Sequence, residues 1–393
     1  MTKVTDNTAS TTEGATPPII MPPATIGIIG GGQLGRMMAI PAREMGYKIA
    51  VLEPGEGSPT AQIADIEINA AYDDKIALEE LLTVSDVVTY EFENIPNQAI
   101  KEVVAADFGY LPQGHRPLQI TQNRLIEKTA VVDCGFKTAP FADVSDETKL
   151  RAALDQIGYP SILKTVSGGY DGKGQWRLTS SDDLQTALDT IKNTECILEG
   201  FVPFDCEISV IVTRSTTGEV RTFPVFENVH VNGILHQTIV PAHISDAVTV
   251  KARKLARDLM TCLDLVGTLA IEMFVVGDDI LVNEMAPRPH NSGHLTIDAC
   301  NVSQFEQHLR AICGLPLIEP ELLRPAIMIN LLGQHADYAL DQWRLPKFAD
   351  GKMHLYGKDE NVRDRKIGHL TFFREDVAEL QEVVDSFLLN FPR

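Results

Sequence analysis

The stretch TIGIIGGGQLGRMM, residues 25–38, joins an apolar strand pattern, a run of glycines and the start of a helix pattern. Two further apolar runs, KIAVLEP (48–54) and DVVTYEFENI (86–95), follow after helical or loop segments. Strands that alternate with helices in this way predict a parallel α/β sheet. Pro41 falls inside the first helix pattern, which predicts that this helix begins late or is kinked.

The composition is that of an ordinary globular chain with an acidic charge balance. The 393 residues are 44% hydrophobic and 22% charged, which is enough for two or three domains with a large buried core. The formal net charge of −20 argues against nucleic-acid binders and binders of anionic membranes, because these present basic surfaces. No apolar run approaches the roughly 20 residues that span a bilayer. A local basic site for a small phosphorylated ligand is compatible with this balance.

The cysteines and the N-terminal segment indicate the compartment. The six cysteines are widely spaced and form no CxxC pair: Cys134, Cys196, Cys206, Cys262, Cys300 and Cys313. This spacing predicts reduced thiols in a cytosolic protein, with neither a disulfide framework nor a zinc site. Residues 1–24 are rich in Thr, Ala and Pro and lack Arg, so they fit neither a secretory signal nor a transit peptide. We predict that they form a disordered tail.

The first glycine motif, GGGQLG at Gly30–Gly35, matches the pattern G-x-G-x-x-G, and Glu53 stands at the end of the next strand pattern. Both features fit a dinucleotide fingerprint, in which the glycines admit the pyrophosphate and the acid holds the ribose. An NAD(P)-dependent dehydrogenase is therefore one hypothesis. The same motif also fits a plain strand-to-helix turn, or a helix N-terminus that receives another phosphate or polar group.

A second glycine-rich stretch, VSGGYDGKGQW (166–176), follows the strand pattern ILKT (162–165). Backbone N–H groups of such a loop can fold over a polyphosphate, while Lys164 on the preceding strand supplies a point charge. The spacing is not that of a Walker A loop. The stretch is therefore predicted to be a flexible flap over phosphates, with a mobile surface hairpin as the alternative.

Glu272 and Glu284 form an acidic pair in two apolar runs that flank the turn signal Gly277-Asp278-Asp279. The pattern predicts an antiparallel hairpin in which the two carboxylates lie opposite one another. Oxygen ligands placed in this way suit a Mg²⁺ ion that bridges to nucleotide phosphates. A shift of the register by one residue would instead place the carboxylates on opposite faces, as solvated side chains.

Two polar stretches complete the candidate site. APRPHNSGH (286–294) directly follows the predicted hairpin and offers several donor side chains, which favours an anion or substrate pocket. KDENVRDRK (358–366) carries four basic residues that suit a phosphate monoester, although its acidic residues also fit a solvated charged loop.

Together these motifs resemble the N5-carboxyaminoimidazole ribonucleotide synthetase family of the ATP-grasp superfamily, in order from about residue 25 to residue 373. The motifs that carry the resemblance are GGGQLGRM (30–37), TYEFENI (89–95), QNR (122–124), GGYDGKGQW (168–176), NEMAPRPHNSGH (283–294) and RKIGH (365–369). It implies a carbon–nitrogen ligase of purine biosynthesis that uses ATP and bicarbonate to carboxylate 5-aminoimidazole ribonucleotide through carboxyphosphate. A sister formyltransferase is similar at its N-terminus, but typically has GELG and lacks the GYDG loop.

The resemblance also implies an architecture and partners. It implies a Rossmann-like pre-ATP-grasp domain at 25–120 that binds no NAD, an ATP-grasp domain at 121–320 and a small β-rich domain at 321–393, thus a mixed α/β and α+β chain. A cytoplasmic homodimer is expected, with Mg²⁺ and small-molecule substrates but neither nucleic acid nor membrane. Alternatives are another ATP-grasp ligase, such as the formyltransferase or a biotin carboxylase-like enzyme, the dehydrogenase, and a non-catalytic nucleotide-binding subunit.

Site residues follow from the same resemblance, position by position. The residues implied to bind ATP are Arg124, Lys164, Gly169, Tyr170, Asp171, Gly172, Lys173, Gly174, Gln175, Glu199, Gly200, Phe201, Val202, Glu207, His230, Asn283 and Glu284. Those implied to hold aminoimidazole ribonucleotide are Gln33, Leu34, Glu93, Arg288, His290, Lys358, Arg365 and Lys366. Mg²⁺ is assigned to Glu272 and Glu284. The residues expected to take part in catalysis are Tyr170, Asp171, Arg288, His290 and Lys358, with Tyr170 and Asp171 facing the second substrate.

Overall fold

The computed structural model describes residues 17–169, 173–358 and 362–392. A parallel sheet with the strand order β3-β2-β1-β4 forms the N-terminal region. Its elements are β1 (Thr25–Ile29), α1 (Gln33–Glu44), β2 (Lys48–Leu52), β3 (Ile66–Ile68), α2 (Lys75–Val84), β4 (Val87–Tyr90) and α3 (Asn97–Ala105). Strands β1, β2 and β4 are almost wholly buried, as expected for a parallel sheet covered by helices. The predicted α/β alternation is confirmed.

Helix α1 does not show the late start that was one of its two predicted forms. It begins at Gln33 and continues through Pro41 to Glu44, so it does not begin late. The proline removes one backbone hydrogen bond. Met38 and Ala42, on either side of Pro41, are buried in the apolar core that α1 shares with β1 and β2. This burial stabilises the helix in spite of the lost hydrogen bond.

The segment that precedes β1 is packed against the fold from residue 17. The Ile20 N–H donates to the Cys313 carbonyl at 2.9 Å, and the Tyr47 hydroxyl donates to the Ile20 carbonyl at 2.7 Å. Ile20 and Ala24 also contact a buried apolar cluster. The predicted disorder is therefore wrong for residues 17–24, while residues 1–16 lie outside the described part of the chain.

A small antiparallel sheet follows, with the strand order β5-β8-β6-β7. The elements of this region are α4 (Arg116–Thr121), α5 (Arg124–Asp133), β5 (Phe141–Asp143), α6 (Glu147–Ile157), β6 (Ser161–Thr165), β7 (Gln175–Leu178), α7 (Leu184–Ile191) and β8 (Cys196–Gly200). Helices α6 and α7 bury their apolar faces against this sheet. The glycine-rich stretch connects β6 to β7 at one end of it.

A large, mostly antiparallel sheet makes up the rest of the fold, in the order β14-β13-β9-β11-β12-β15-β17-β16, with β10 on β9. Its elements and helices are β9 (Cys206–Arg214), β10 (Val220–Thr222), β11 (Phe226–Val231), β12 (Ile234–Val240), α8 (Asp246–Cys262), β13 (Gly267–Val276), β14 (Asp279–Ala286), α9 (Thr296–Ala299), α10 (Gln304–Ile312), β15 (Ala326–Leu332), α11 (Ala336–Trp343), β16 (Lys352–Leu355), β17 (Lys366–Phe373) and α12 (Val377–Leu388). Strands β12 and β15 pair directly, so the sheet continues without a break across the predicted domain boundary at residue 320.

The cysteine prediction needs a correction. Cys134, at the end of α5, and Cys262, the last residue of α8, form a disulfide. Their separation of 128 residues hid this pairing, since only the packed fold brings the two helix ends together. Within the described ranges, Cys196, Cys206, Cys300 and Cys313 are free thiols. The described part of the chain contains no helix that is both long and apolar enough to cross a membrane.

Candidate active site

A cleft of about 610 Å³ lies where the three predicted domains meet. Glu93 from the N-terminal region, Lys164 and Glu284 from the central region and Lys366 from β17 all border it. The predicted site residues that line the cleft are Gln33, Leu34, Glu93, Arg124, Lys164, Gly169, Gln175, Glu207, His230, Glu272, Asn283, Glu284, Arg288, His290 and Lys366. Residues predicted separately for ATP, metal and substrate thus share one cavity.

Other predicted residues lie outside this lining. Among the described residues, these are Lys173, Gly174, Glu199, Gly200, Phe201, Val202, Lys358 and Arg365. Phe201 follows the end of β8, where the Arg177 guanidinium lies 4.6 Å from the centre of its ring. Tyr170, Asp171 and Gly172 lie outside the described residues.

The first glycine motif is occupied by the protein's own carboxylates. Glu91 accepts hydrogen bonds from the N–H groups of Gly32 and Gly35 at the start of α1, and Glu53 accepts one from the Gly31 N–H. Burial raises the pKa of Glu91, while the bonds from Gly35 and Gly32 act to lower it. A side-chain carboxylate therefore stands where a dinucleotide pyrophosphate would meet the helix N-terminus. This geometry disfavours the dehydrogenase hypothesis.

Glu272 and Glu284 are paired across the β13–β14 hairpin, as predicted. The ladder runs in step from Val276–Asp279 to Met273–Val282, which would next pair Glu272 with Asn283. A β-bulge at this point skips Asn283 and brings Glu284 opposite Glu272 instead.

The acidic pair borders the cleft, with Glu272 partly buried and Glu284 exposed. Burial, and then the charge of Glu284, raises the pKa of Glu272 to about 8. His290 Nε2 lies 3.4 Å from Glu272 Oε1, and burial followed by the Arg288 charge lowers the pKa of His290 well below its ordinary value. Two carboxylates that close favour a proton or a cation between them. The described residues contain no cluster of three or more His, Cys, Asp or Glu side chains arranged as metal ligands.

Lys164 enters the cleft from β6 and is held by a buried carboxylate. Its Nζ donates to Glu199 Oε2 at 2.9 Å, and Lys128 Nζ lies 3.3 Å from the same oxygen. Burial alone would raise the pKa of Glu199, but the two lysines hold it below its ordinary value. The Glu199 side chain thus positions Lys164 and is not exposed to the cleft.

Arg124, the first residue of α5, binds the backbone of the glycine-rich stretch. Its Nη1 donates to the Thr165 carbonyl at 2.8 Å, and its Nη2 donates to the Gly169 carbonyl at 3.0 Å. Asn123 caps the same helix by accepting from the N–H groups of Leu125 and Ile126. The side chain of Arg124 therefore joins the start of α5 to the start of the glycine-rich stretch.

The substrate-side residues assemble around Arg288. Arg288 Nη2 donates to Glu93 Oε1 at 2.9 Å, and Arg288 Nε donates to the other oxygen. Burial alone would raise the pKa of Glu93, but the Arg288 guanidinium holds it below its ordinary value. Lys358, another residue assigned to the substrate, donates to the carbonyl of Lys366, which lines the cleft, at 2.6 Å. Burial, and then the charge of Arg365, lowers the pKa of Lys358 to about 8.

Several lining residues escaped the sequence analysis. Phe204 and Phe274 stack with ring centres 4.7 Å apart and form an apolar wall of the cleft. Ile162 also borders it, and its place two residues before Lys164 on β6 was an available signal, because alternate strand residues share a face. Glu127 lines the cleft as well, but it lies on a helix whose place beside the cleft no local pattern revealed.

Three domain families match the chain in succession. They are the ribonucleotide synthetase preATP-grasp domain at residues 23–122, the ATP-grasp domain at 129–305 and the phosphoribosylaminoimidazole carboxylase C-terminal domain at 326–383. These matches, together with the sheets described above, confirm the predicted fold class.

Individual relatives match over almost the whole chain. The N5-carboxyaminoimidazole ribonucleotide synthase of Bacillus subtilis (strain 168) is 48% identical over 372 residues, which cover 94% of this chain and 97% of that protein. A solved ADP complex of an N5-carboxyaminoimidazole ribonucleotide synthetase has 51% identity and a TM-score of 0.91, covering 95% of this chain and 98% of that one. The Aspergillus clavatus synthase, solved with ADP and 5-aminoimidazole ribonucleotide, has 31% identity and a TM-score of 0.86, covering 93% and 97%. The chain belongs to the N5-carboxyaminoimidazole ribonucleotide synthase family.

Proposed function

We propose that this chain is an ATP-grasp ligase that carboxylates 5-aminoimidazole ribonucleotide with ATP and bicarbonate, in purine biosynthesis. The products are N5-carboxyaminoimidazole ribonucleotide, ADP and phosphate. The observation that carries the proposal is the single cleft, which collects Lys164, the Glu272–Glu284 pair and Arg288 within one family architecture. Relatives solved with ADP, and with ADP and 5-aminoimidazole ribonucleotide, support it.

The chemistry requires that bicarbonate be activated. Its carbon is a poor electrophile, because hydroxide is a bad leaving group from an anion. Transfer of the γ-phosphoryl group forms carboxyphosphate, from which phosphate leaves readily. Lys164 and Arg288 supply fixed positive charge where negative charge develops in this transfer. Glu272 and Glu284 would hold Mg²⁺, which when bound neutralises the phosphate oxygens.

Water must be excluded once carboxyphosphate exists. The stretch from residue 166 to 176 would close over the reacting groups. Gly168 and Gly174 adopt φ angles of +76° and +71°, which glycine accepts without strain, and they are suited to the bends of such a flap. Tyr170 and Asp171, which lie between them, are assigned to the second substrate on the strength of the family resemblance.

The nucleotide and the ribonucleotide would occupy opposite sides of the cleft. Phe204 and Phe274 offer an apolar surface for adenine, near the segment Glu199–Val202, and Glu207 would bind the ribose. Glu93, Gln33, Leu34 and His290 would hold aminoimidazole ribonucleotide around Arg288, and Lys358, Arg365 and Lys366 would hold its phosphate.

A coupled assay tests the reaction. ADP release is measured with and without aminoimidazole ribonucleotide and bicarbonate, and labelled bicarbonate is followed into the product by mass spectrometry. ADP release that requires both substrates supports the proposal. A response to glycinamide ribonucleotide and formate instead would assign the chain to the formyltransferase, and ATP binding without turnover would indicate a non-catalytic subunit. Light scattering in solution tests the expected homodimer, and cell fractionation the expected cytoplasmic location.

A further inference from the structure

Helix α5 binds the backbone of β14 on both sides of Glu284. The carboxylate of Glu127 accepts a hydrogen bond from the Met285 N–H, with 2.5 Å between Oε1 and N. The next residue, Lys128, donates from Nζ to the Asn283 carbonyl at 3.2 Å. Two consecutive residues of one helix therefore hold the two peptide groups that flank the Glu284 side chain.

These contacts coincide with the bulge in the hairpin. Within the described hairpin, Asn283 has no partner residue on β13, so the regular ladder does not determine its orientation. A bulge is a local irregularity that redirects a side chain, and it needs other contacts to fix its geometry. Glu127 and Lys128 supply such contacts at the point where Glu284 is brought opposite Glu272.

Both side chains are suited to a positioning role, because they are buried and anchored. Glu127 is 4% exposed and Lys128 is 2% exposed. Lys128 also forms an ion pair with Glu199, and Glu199 forms one with Lys164. Helix α5 therefore connects β14, which carries Glu284, to Lys164. Arg124 fixes the beginning of the helix to the flap.

We propose that Glu127 and Lys128 are positioning residues, which hold the bulged backbone of β14 so that Glu284 points at the metal–nucleotide site. The inference rests on the proposed metal role of Glu284. It predicts that what matters at position 127 is the reach of an acceptor oxygen to the Met285 N–H, and not the charge of the side chain.

Two substitutions separate reach from charge. Glu127→Gln keeps an acceptor oxygen at the same distance but removes the charge, whereas Glu127→Asp keeps the charge but is one methylene too short. Ile126→Ala, on the exposed side of the same helix, is the matched control. Calorimetry measures the affinity for ADP with Mg²⁺ and with EDTA, and thermal unfolding reports stability.

We expect Glu127→Asp to weaken Mg-dependent ADP binding roughly 10- to 100-fold, the usual loss when a group that orients a metal ligand is removed. Metal-free ADP binding should change little, and Glu127→Gln should resemble the unsubstituted protein. The reverse order, with Gln deficient and Asp normal, would make Glu127 a charge-bearing ligand and overturn the inference. Equal losses with and without Mg²⁺, or no loss in either variant, would also overturn it.

Glu284→Gln, measured in parallel, separates this inference from the proposal beneath it. If Glu284→Gln retains full Mg-dependent ADP binding, the metal role of Glu284 itself is wrong. If Glu284→Gln loses that binding while Glu127→Asp retains it, only the positioning role of α5 is wrong.

Discussion

Arg288 and Glu93 form a two-point ion pair between the loop after β14 and the segment after β4, although they stand 195 residues apart. Both side chains line the cleft. The pair therefore joins the loop after β14 to the N-terminal region within the part of the cleft that is proposed for the second substrate. Its geometry requires a planar guanidinium, because two nitrogens donate to two oxygens of one carboxylate.

Replacing Arg288 with Lys should impair use of the second substrate. Lysine keeps the charge but loses the two-point geometry. We expect kcat/KM for aminoimidazole ribonucleotide to fall by roughly 10- to 100-fold. This fall corresponds to the loss of one hydrogen bond to a charged group, which contributes about 1.5–3 kcal/mol. Steady-state kinetics measure it, and Arg151→Lys, at an exposed pair with Glu147, is the control. Unchanged kinetics would contradict the proposed role of Arg288 in binding aminoimidazole ribonucleotide.

Glu284→Gln should reduce Mg-dependent turnover by more than ~100-fold, since it removes a charge that stabilises phosphoryl transfer. The Mg²⁺ dependence of ADP release measures this effect. Glu195→Gln, at an exposed position directly before β8, is a suitable control. Near-normal turnover of Glu284→Gln would exclude this residue from the metal site.

The pH dependence of kcat/KM for aminoimidazole ribonucleotide should report the titration of Lys358. The pKa of Lys358 is lowered to about 8, mainly by burial, so this side chain is charged below that pH and neutral above it. Its attraction for the substrate phosphate is then present at lower pH and lost as the pH rises through 8. We expect kcat/KM for aminoimidazole ribonucleotide to fall over that range, and the fall to be absent in Lys358→Met. A profile that Lys358→Met leaves unaltered would contradict the assignment.

Asp171→Ala tests the expectation that the flap faces the second substrate. The substitution should impair the stimulation of ADP release by aminoimidazole ribonucleotide more than it weakens ATP binding. Kinetics and calorimetry measure the two effects separately. Equal losses of both would assign Asp171 a merely structural role.

The Cys134–Cys262 disulfide should stabilise the fold, because it closes a long loop in the unfolded chain. Removing such a cross-link typically costs about 2–4 kcal/mol. Cys134→Ser, Cys262→Ser and the double variant should therefore lose similar amounts of stability in denaturant unfolding, and reduction of the unsubstituted protein should match them. Losses that add in the double variant would show that the two thiols contribute separately.

The sequence by itself determined the local elements and the family. Apolar periodicity and turn residues placed the β13–β14 hairpin, and strand alternation placed the N-terminal sheet, because both depend on neighbours in the chain. The motifs around Lys164, Glu284 and Arg288 indicated an ATP-dependent ligase, because they bring charged residues and glycines together at fixed spacing.

Only the tertiary structure decided how those elements meet. The hairpin turn alone would pair Glu272 with Asn283, and the bulge that α5 contacts moves Glu284 into that place. Likewise, Glu91 fills the helix N-terminus that the glycine motif left open to a dinucleotide, and α5 and α8 join their ends through a disulfide. In each case the deciding partner is far away in the sequence, and it reaches its place only because the burial of apolar faces packs distant segments together.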